Sequence, residues 1–273
     1  MRYLLLIPAL IILLGCQRKT VERTQYFPRL AQTPDAMPAK EKVWVFLLAG
    51  QSKMAGRGQV EPKDTVIDHR IFSLNKMGQM VQAKEPLHYY EPNLTGLDCG
   101  MSFAKNLLTK LPADASILLL PTAVGGSAIE QWLEDAVHRD VKLLSNFKEK
   151  VAIGQQYGQI KGVLWHQGES NANDKGIPLH QERLKQLFTT FRTITGNEEL
   201  PILIGELGAY SENKANWSAI NEILRAYAAG DPNAVVISTA DLKDKGDRVH
   251  FDSKGQREIG RRFAEAYVKG WMR

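Results

Sequence analysis

Cysteine is nearly absent from this chain of 273 residues, which holds only Cys16 and Cys99. If Cys16 is modified at the N-terminus, as argued below, Cys99 has no partner and a disulfide framework is excluded. Cys99 then reads as a small buried hydrophobe, because the residues around it lead into a helix from Gly100 and no histidine stands nearby. A basic stripe or block is also missing. The formal net charge is +5 with acids and bases interspersed, which argues against a nucleic-acid partner. There is no internal repeat and no low-complexity run. Leu4–Leu14, interrupted by Pro8, is too short to span a bilayer as a helix. The length suits one large domain or two small ones of ordinary soluble composition.

The first residues are set apart from the fold. Met1-Arg2 is a short basic start, Leu4–Leu14 an apolar stretch, and Leu13-Leu14-Gly15-Cys16 has the form of a bacterial lipobox. Residues 1–15 are therefore expected to be a lipoprotein signal peptide, with cleavage leaving Cys16 to carry lipid. Several acyl chains would anchor the protein stably, where one is marginal. Gln17 in place of Asp fits outer-membrane sorting. The expected location is the bacterial cell envelope, with the anchored protein facing the periplasm or the cell surface. Residues 16–41 are polar, carry Pro28, Pro34 and Pro38, and show no period of 2 or 3.6. They read as a tether, with the folded domain spanning 42–273.

From Val43 onward, apolar runs alternate with amphipathic helical patterns. Val43–Ala49, Ala115–Pro121, Gly162–His166, Pro201–Gly205 and Ala234–Ser238 are the strand candidates. Helical spacing is found in Met101–Leu111, Asp140–Tyr157, Leu179–Thr195, Trp217–Ala229 and Ser253–Val268. Strands alternating with helices predict an α/β fold: a flavodoxin-like three-layer α/β/α sandwich on a central parallel sheet of about five strands. Asn75–Thr95 fits neither period and reads as an insertion or irregular loop.

Four segments put polar groups on loops after a strand, the first three directly at its end and the fourth between the last strand and the final helix, and an open parallel sheet gathers its chemistry there. They are Gly50-Gln51-Ser52, Thr122–Ser127, Trp165–Asn171 and Asp247–His250. Ser52, at the end of the most apolar run, is the leading candidate nucleophile; a solvated turn or helix cap is the plain alternative. Ser127 and Ser170 also follow Gly-x, and spacing alone does not choose among the three. None completes Gly-x-Ser-x-Gly, so an α/β-hydrolase elbow is not supported. His250 is the best candidate base, three residues after Asp247, which can orient its ring; Asp244 and Asp241 are rivals. Gly125 and Gly126 offer backbone N–H groups for a developing oxyanion, and the Gln167 amide can add another. His166 and Glu169 lack a second histidine and a helix, so no metal site is expected; both read as residues that hold their loop. His69, His88, His138 and His180 show no pairing.

Together these blocks resemble the SGNH-hydrolase superfamily, in the sialate O-acetylesterase-like branch that also includes acetylxylan esterases. Gly50-Gln51-Ser52-Lys53-Met54 stands for the family's Gly-Gln-Ser-Asn-Met. Asp98–Ala104 echoes Gly-Pro-Gly-x-x-Phe-Ala. Gly125-Gly126-Ser127 with Trp132, Trp165–Ser170 as Trp-x-Gln-Gly-Glu-Ser, and Asp247–His250 as Asp-x-x-His complete the set. The resemblance implies Ser52 as nucleophile, His250 as base and Asp247 as its orienter. It implies an oxyanion hole from the Ser52 amide, the Gly125 or Gly126 amide and the Gln167 side chain. Gln51, Lys53, Glu169 and Asn171 are assigned to substrate contact or to support of the site, and Lys53, where the family has Asn, is a place where substrate preference can change. The implied activity is removal of acetyl groups from a sugar, of sialic acid or hemicellulose type, with no metal or organic cofactor. Two alternatives remain at this stage: an esterase on non-sugar esters and a catalytically silent carbohydrate-binding relative.

Overall fold

The computed structural model describes residues 22–272. Cys16 and the signal-peptide residues lie outside them. β1 (Val43–Gly50) is the central strand. It is followed by the single-turn α1 (Ser52–Ala55), β2 (Ile71–Leu74), β3 (Met80–Gln82), α2 (Gly100–Leu108) and β4 (Ser116–Pro121). The short α3 (Ile129–Leu133) and the hairpin β5 (Val137–His138) and β6 (Val141–Lys142) come next. α4 (Leu143–Tyr157), β7 (Gln159–His166), α5 (Ile177–Thr195), β8 (Ile202–Gly205), α6 (Lys214–Ala229), β9 (Ala234–Ile237) and α7 (Ser253–Trp271) complete the domain.

The sheet has seven strands in the order β3-β2-β4-β1-β7-β8-β9. All neighbours are parallel except β2 and β3. The α/β class and the five expected strands are present, and the number is corrected to seven. Ile71–Leu74 has Ser73 within its apolar run, and Met80–Gln82 has only three residues, so neither shows the unbroken run of the other strands. β3 lies inside the stretch read as irregular.

β1 is buried on both sides, and its pleat divides the core in two. Val43, Val45, Leu47 and Ala49 pack with Trp165, Phe147, Phe188 and Phe191 beneath α4 and α5. Phe46 and Leu48 point the other way, to Phe103 on α2 and Ile259 and Phe263 on α7. Each fully buried side chain of this size contributes on the order of 1.5–3 kcal/mol.

The polar stretch before β1 differs from a free tether. Gln82 N donates to Gln32 O (2.7 Å), so part of the short β3 edge is covered. Arg23 donates to the carbonyls of Pro92 and Thr95. From Glu22 on, this segment is laid against the domain.

The chain forms β1, runs out to β2 and β4 on one side, then crosses to β7, β8 and β9 on the other. The order reverses around β1, so the crevice belongs at the carboxyl ends of β4, β1 and β7. Gly50 closes β1 with φ +130°, and a Cβ there would lie 2.2 Å from His166 O on β7. Only glycine fits both the dihedral and the space. Gly50→Ala should therefore destabilise the fold by at least about 1–3 kcal/mol, read as a lowered urea midpoint; an unchanged midpoint would show that the β1–β7 approach is not tight.

Candidate active site

Loops from the ends of β1, β4, β7 and β9 meet at one place. Gln51 N donates to His166 O (2.9 Å), which aims the chain away from the sheet and into α1. Ser52 is the first residue of that turn, so its N–H has no partner within the helix. The Ser52 hydroxyl lies 2.9 Å from His250 Nε2. His250 Nδ1 lies 2.8 Å from Asp247 Oδ2. A carboxylate facing Nδ1 fixes the proton there, which leaves Nε2 as the acceptor for Ser52.

Asp247 is built into its loop. Its Oδ1 accepts from the N–H groups of Val249 (3.0 Å) and His250 (2.8 Å), and Lys245 Nζ stands 3.0 Å from Oδ2. Burial alone would raise its carboxyl, but the His250 backbone and ring donors, Val249 N–H and Lys245 hold it well below the usual carboxylate range. Burial lowers the His250 imidazole and Arg57 adds to this. Asp247 opposes both, and the net shift is downward from 6.5.

The rival residues are occupied elsewhere. Ser127 is buried, donating to Gly50 O (3.2 Å) and accepting from Trp132 Nε1 (3.0 Å). Ser170 donates to Gly126 O (3.0 Å). Asp244 accepts from Gly246 N and Arg248 N, and Asp241 pairs with Arg262. Of the sequence candidates, the structure brings together Ser52, His250 and Asp247.

The expected oxyanion donors need correction. Gly125 N donates to Glu91 Oε2 at 2.6 Å and is not free. Gln167 is fully buried, and its Nε2 bonds Asn171 Oδ1 (2.6 Å) and Ser127 O (3.4 Å). That Asn171 oxygen also accepts from Ile129 N (3.0 Å), which fixes the orientation of both amides. Gln167 thus ties two loops and does not present its amide to Ser52. Ser52 N–H and Gly126 N–H donate to no acceptor among the described residues. Gly126 takes φ +78°, and the nearest atoms to a Cβ there are 3.7 Å away.

Gln51, Lys53, Glu169 and Asn171 support the site from beneath. Gln51 Oε1 accepts from Ser170 N (3.3 Å). Lys53 is 0 % exposed, which removes it from substrate contact. Its ammonium lies 2.7 Å from Glu169 Oε1 and 3.8 Å from the Trp217 ring centre, with Phe251 and Tyr210 alongside. The contact is poorly aligned for a hydrogen bond and acts as an ion pair under aromatic faces. Burial pushes the Lys53 amine down against the pull of Glu169. Burial would raise the Glu169 carboxyl, but Lys53 beside it brings the net shift below the usual range. His166 Nε2 bonds Glu206 O (2.8 Å), and burial pushes the ring down to about 4.

Sequence reading missed Arg57, Glu91 and Arg139. Arg57 Nη2 lies 2.7 Å from Glu91, whose other oxygen pairs with Arg139. Burial would raise the Glu91 carboxyl, but Arg57, Gly125 N–H and Arg139 hold it down. Glu91 sits in the stretch without periodicity, so no sequence signal marked it. His138 Nε2 lies 2.9 Å from Gly125 O, and His88 Nδ1 lies 2.8 Å from Asp98 in the core, so neither is unpaired. Cys99 is buried 3.6 Å from Met54 Sδ, as a small hydrophobe should be.

The fold recurs in solved structures of the SGNH and GDSL lipase-like class. NanS superposes with a TM-score of 0.71 at 17 % identity, covering 86 % of this chain and 99 % of that one. A carbohydrate acetylesterase from Xanthomonas citri gives 0.65 at 20 % identity, covering 84 % of this chain and 56 % of its own. The structure of an Arabidopsis thaliana protein gives 0.73 at 26 % identity, covering 84 % and 98 %. A probable carbohydrate esterase of Arabidopsis thaliana is 28 % identical over 248 residues, 83 % of this chain and 91 % of the relative. Residues 42–269 match the family model described as carbohydrate esterase, sialic acid-specific acetylesterase, and the chain belongs to that family.

Removing one member of the Lys53–Glu169 pair strands the other in the core. Lys53→Met should cost about 3–5 kcal/mol, and the double variant Lys53→Met, Glu169→Leu should recover much of it. Urea denaturation measures both; a double variant as unstable as the sum of the singles would contradict the pairing.

Proposed function

We propose that this protein is a serine carbohydrate O-acetylesterase that removes acetyl groups from a sugar of sialic acid or hemicellulose type. The observation that carries the reading is the chain of hydrogen bonds Ser52–His250–Asp247; Ser52 N–H and Gly126 N–H, without an acceptor among the described residues, are the oxyanion donors it assigns. The family membership supports the ester-hydrolase class.

Ser52 Oγ attacks the acetyl carbonyl carbon while His250 Nε2 takes the hydroxyl proton. The carbonyl oxygen becomes an oxyanion held by Ser52 N–H and Gly126 N–H. The carbon–oxygen bond to the sugar breaks, and His250 returns its proton to the departing sugar hydroxyl. Water then attacks the acetyl-serine with His250 as base. Acetate leaves and Ser52 regains its proton. Asp247 holds the ring in the required tautomer throughout and stabilises its charged form. Every transferred proton passes through His250, so no metal or organic cofactor is assigned a role.

Acetate release from acetylated sialic acids and acetylated xylan fragments tests the substrate class. Release from either supports the reading; hydrolysis of aryl esters alone would favour a non-sugar esterase. Base catalysis needs neutral His250, whose net shift is downward from 6.5. kcat/KM should therefore rise with pH through a midpoint below 6.5, and a midpoint above it would contradict the electrostatics. Asp247→Ala should lower kcat by about 100- to 10,000-fold. Near-normal turnover would reduce the triad to a dyad.

We also propose that Cys16 is the lipidated first residue of the mature protein and anchors it to the envelope, on the sequence evidence of residues 1–16. Mass spectrometry of the native N-terminus should find an acylated Cys16. An unmodified start elsewhere would remove the anchor.

A further inference from the structure

Beside the site runs an open groove of about 620 Å³, walled by Tyr89, Tyr90, Arg139, Lys142, Asn146 and Lys76. This lies within the roughly 300–1,000 Å³ of small-ligand clefts. The mechanism above uses none of these residues. Arg139 joins the groove to the site. Its guanidinium pairs with Glu91, which in turn holds Gly125 N–H. Its Nη2 lies 3.7 Å from where a Cβ would stand on Gly126, whose N–H is a proposed oxyanion donor. A sugar whose acetyl group reaches Ser52 and whose oxyanion is held by Gly126 thus has Arg139, and through it the groove, on the Gly126 side.

The wall has the chemistry of a sugar platform. A pyranose ring presents an apolar C–H face and a rim of hydroxyls, so it suits an aromatic wall with polar groups around it. The Tyr89 and Tyr90 ring centres are 4.7 Å apart at an interplanar angle of 47°. Tyr90 Oη lies 2.9 Å from Pro121 O, an obligate acceptor, so its proton points there. The Asn146 side chain 3.0 Å away then completes the pair by turning its NH2 to the phenol oxygen. Both groups are thereby fixed at the end of β4. Arg139 and Asp140 form the turn of the β5–β6 hairpin with φ +49° and +62°. These are the paired left-handed conformations that a tight two-residue hairpin turn requires, and the turn fixes where Arg139 leaves the backbone. Asp140 and Glu149 also line the groove and offset its cations, so the surface fits a hydroxyl-rich ligand better than a polyanion.

We propose that this groove is a subsite for the sugar residues next to the acetylated one, so that the enzyme acts on acetylated residues within an oligosaccharide. The inference rests on the carbohydrate-esterase reading above. Its test uses the full protein with Tyr89→Ala and Tyr89→Phe. Two quantities are read: kcat/KM on an acetylated tetrasaccharide relative to the matching acetylated monosaccharide, and calorimetric binding of unacetylated xylotetraose and disialic acid. The wild type should favour the tetrasaccharide and bind xylotetraose, and disialic acid, a dianion, should bind more weakly. Tyr89→Ala should lower both the preference and the binding about tenfold, mainly through KM, and Tyr89→Phe should retain them. No preference and no binding in the wild type, or equal losses on monosaccharide and tetrasaccharide in Tyr89→Ala, would overturn the subsite. If no sugar acetate is cleaved at all, the esterase reading falls, and the groove is judged by the binding measurement alone.

Discussion

Everything at this site depends on how β1 ends. Gly50 brings its backbone against His166 at the end of β7, and the next N–H, of Gln51, bonds the His166 carbonyl. The Gly50 carbonyl accepts from Val124 N (3.2 Å) and from the Ser127 hydroxyl (3.2 Å), both on the loop after β4. One residue without a side chain thus gathers three loops. The apolar stretch before it, buried on both faces, keeps that point from moving. Ser52 then stands two residues beyond a fixed position, and His250 reaches it from a loop almost 200 residues later in the chain.

Two charged groupings hold the ring of loops; Lys53, Glu169, Arg57 and Glu91 are buried, and Arg139 reaches Glu91 from the surface. Lys53 and Glu169 join the turn after β1 to the turn after β7, under Trp217 of α6. Arg57, Glu91 and Arg139 join the segment after α1 to the loop before α2 and to the β5–β6 hairpin. Buried pairs of this kind gain little net stability over apolar packing, yet breaking them is costly. At this site they also set the background for His250, since Arg57 lowers its affinity for a proton while Glu169 and Asp247 raise it. Support and chemistry are therefore coupled through the same carboxylates.

The legible part of the sequence was the part with a strong local signal. β1, β4, β7 and β8 showed themselves as apolar runs because central parallel strands are covered on both faces, and the half-buried edge strand β9 also keeps an unbroken apolar run. β2 and β3 did not, since Ser73 interrupts the apolar run of β2 and β3 has only three residues. Ser52 was legible as a hydroxyl at a strand end, and Asp247 and His250 as a spaced pair on the loop before the last helix; the fold brings them into contact. The donors around them were not. Whether Gly125 N–H is free depends on Glu91, which comes from an aperiodic stretch 34 residues away. Lys53 stood in a motif position that suggested substrate contact. Its inward direction follows from Trp217 and Glu169, which no spacing in the chain connects to it.

The central claim is that Ser52 is the residue that carries the acyl group. The most direct measurement is to trap the enzyme with an organophosphonate and map the modified peptide by mass spectrometry, with the His250→Ala variant in parallel. The account predicts a single adduct on Ser52 in the wild type and strongly slowed labelling when His250 is removed. An adduct on Ser127 or Ser170, or equally fast labelling of Ser52 without His250, would contradict it.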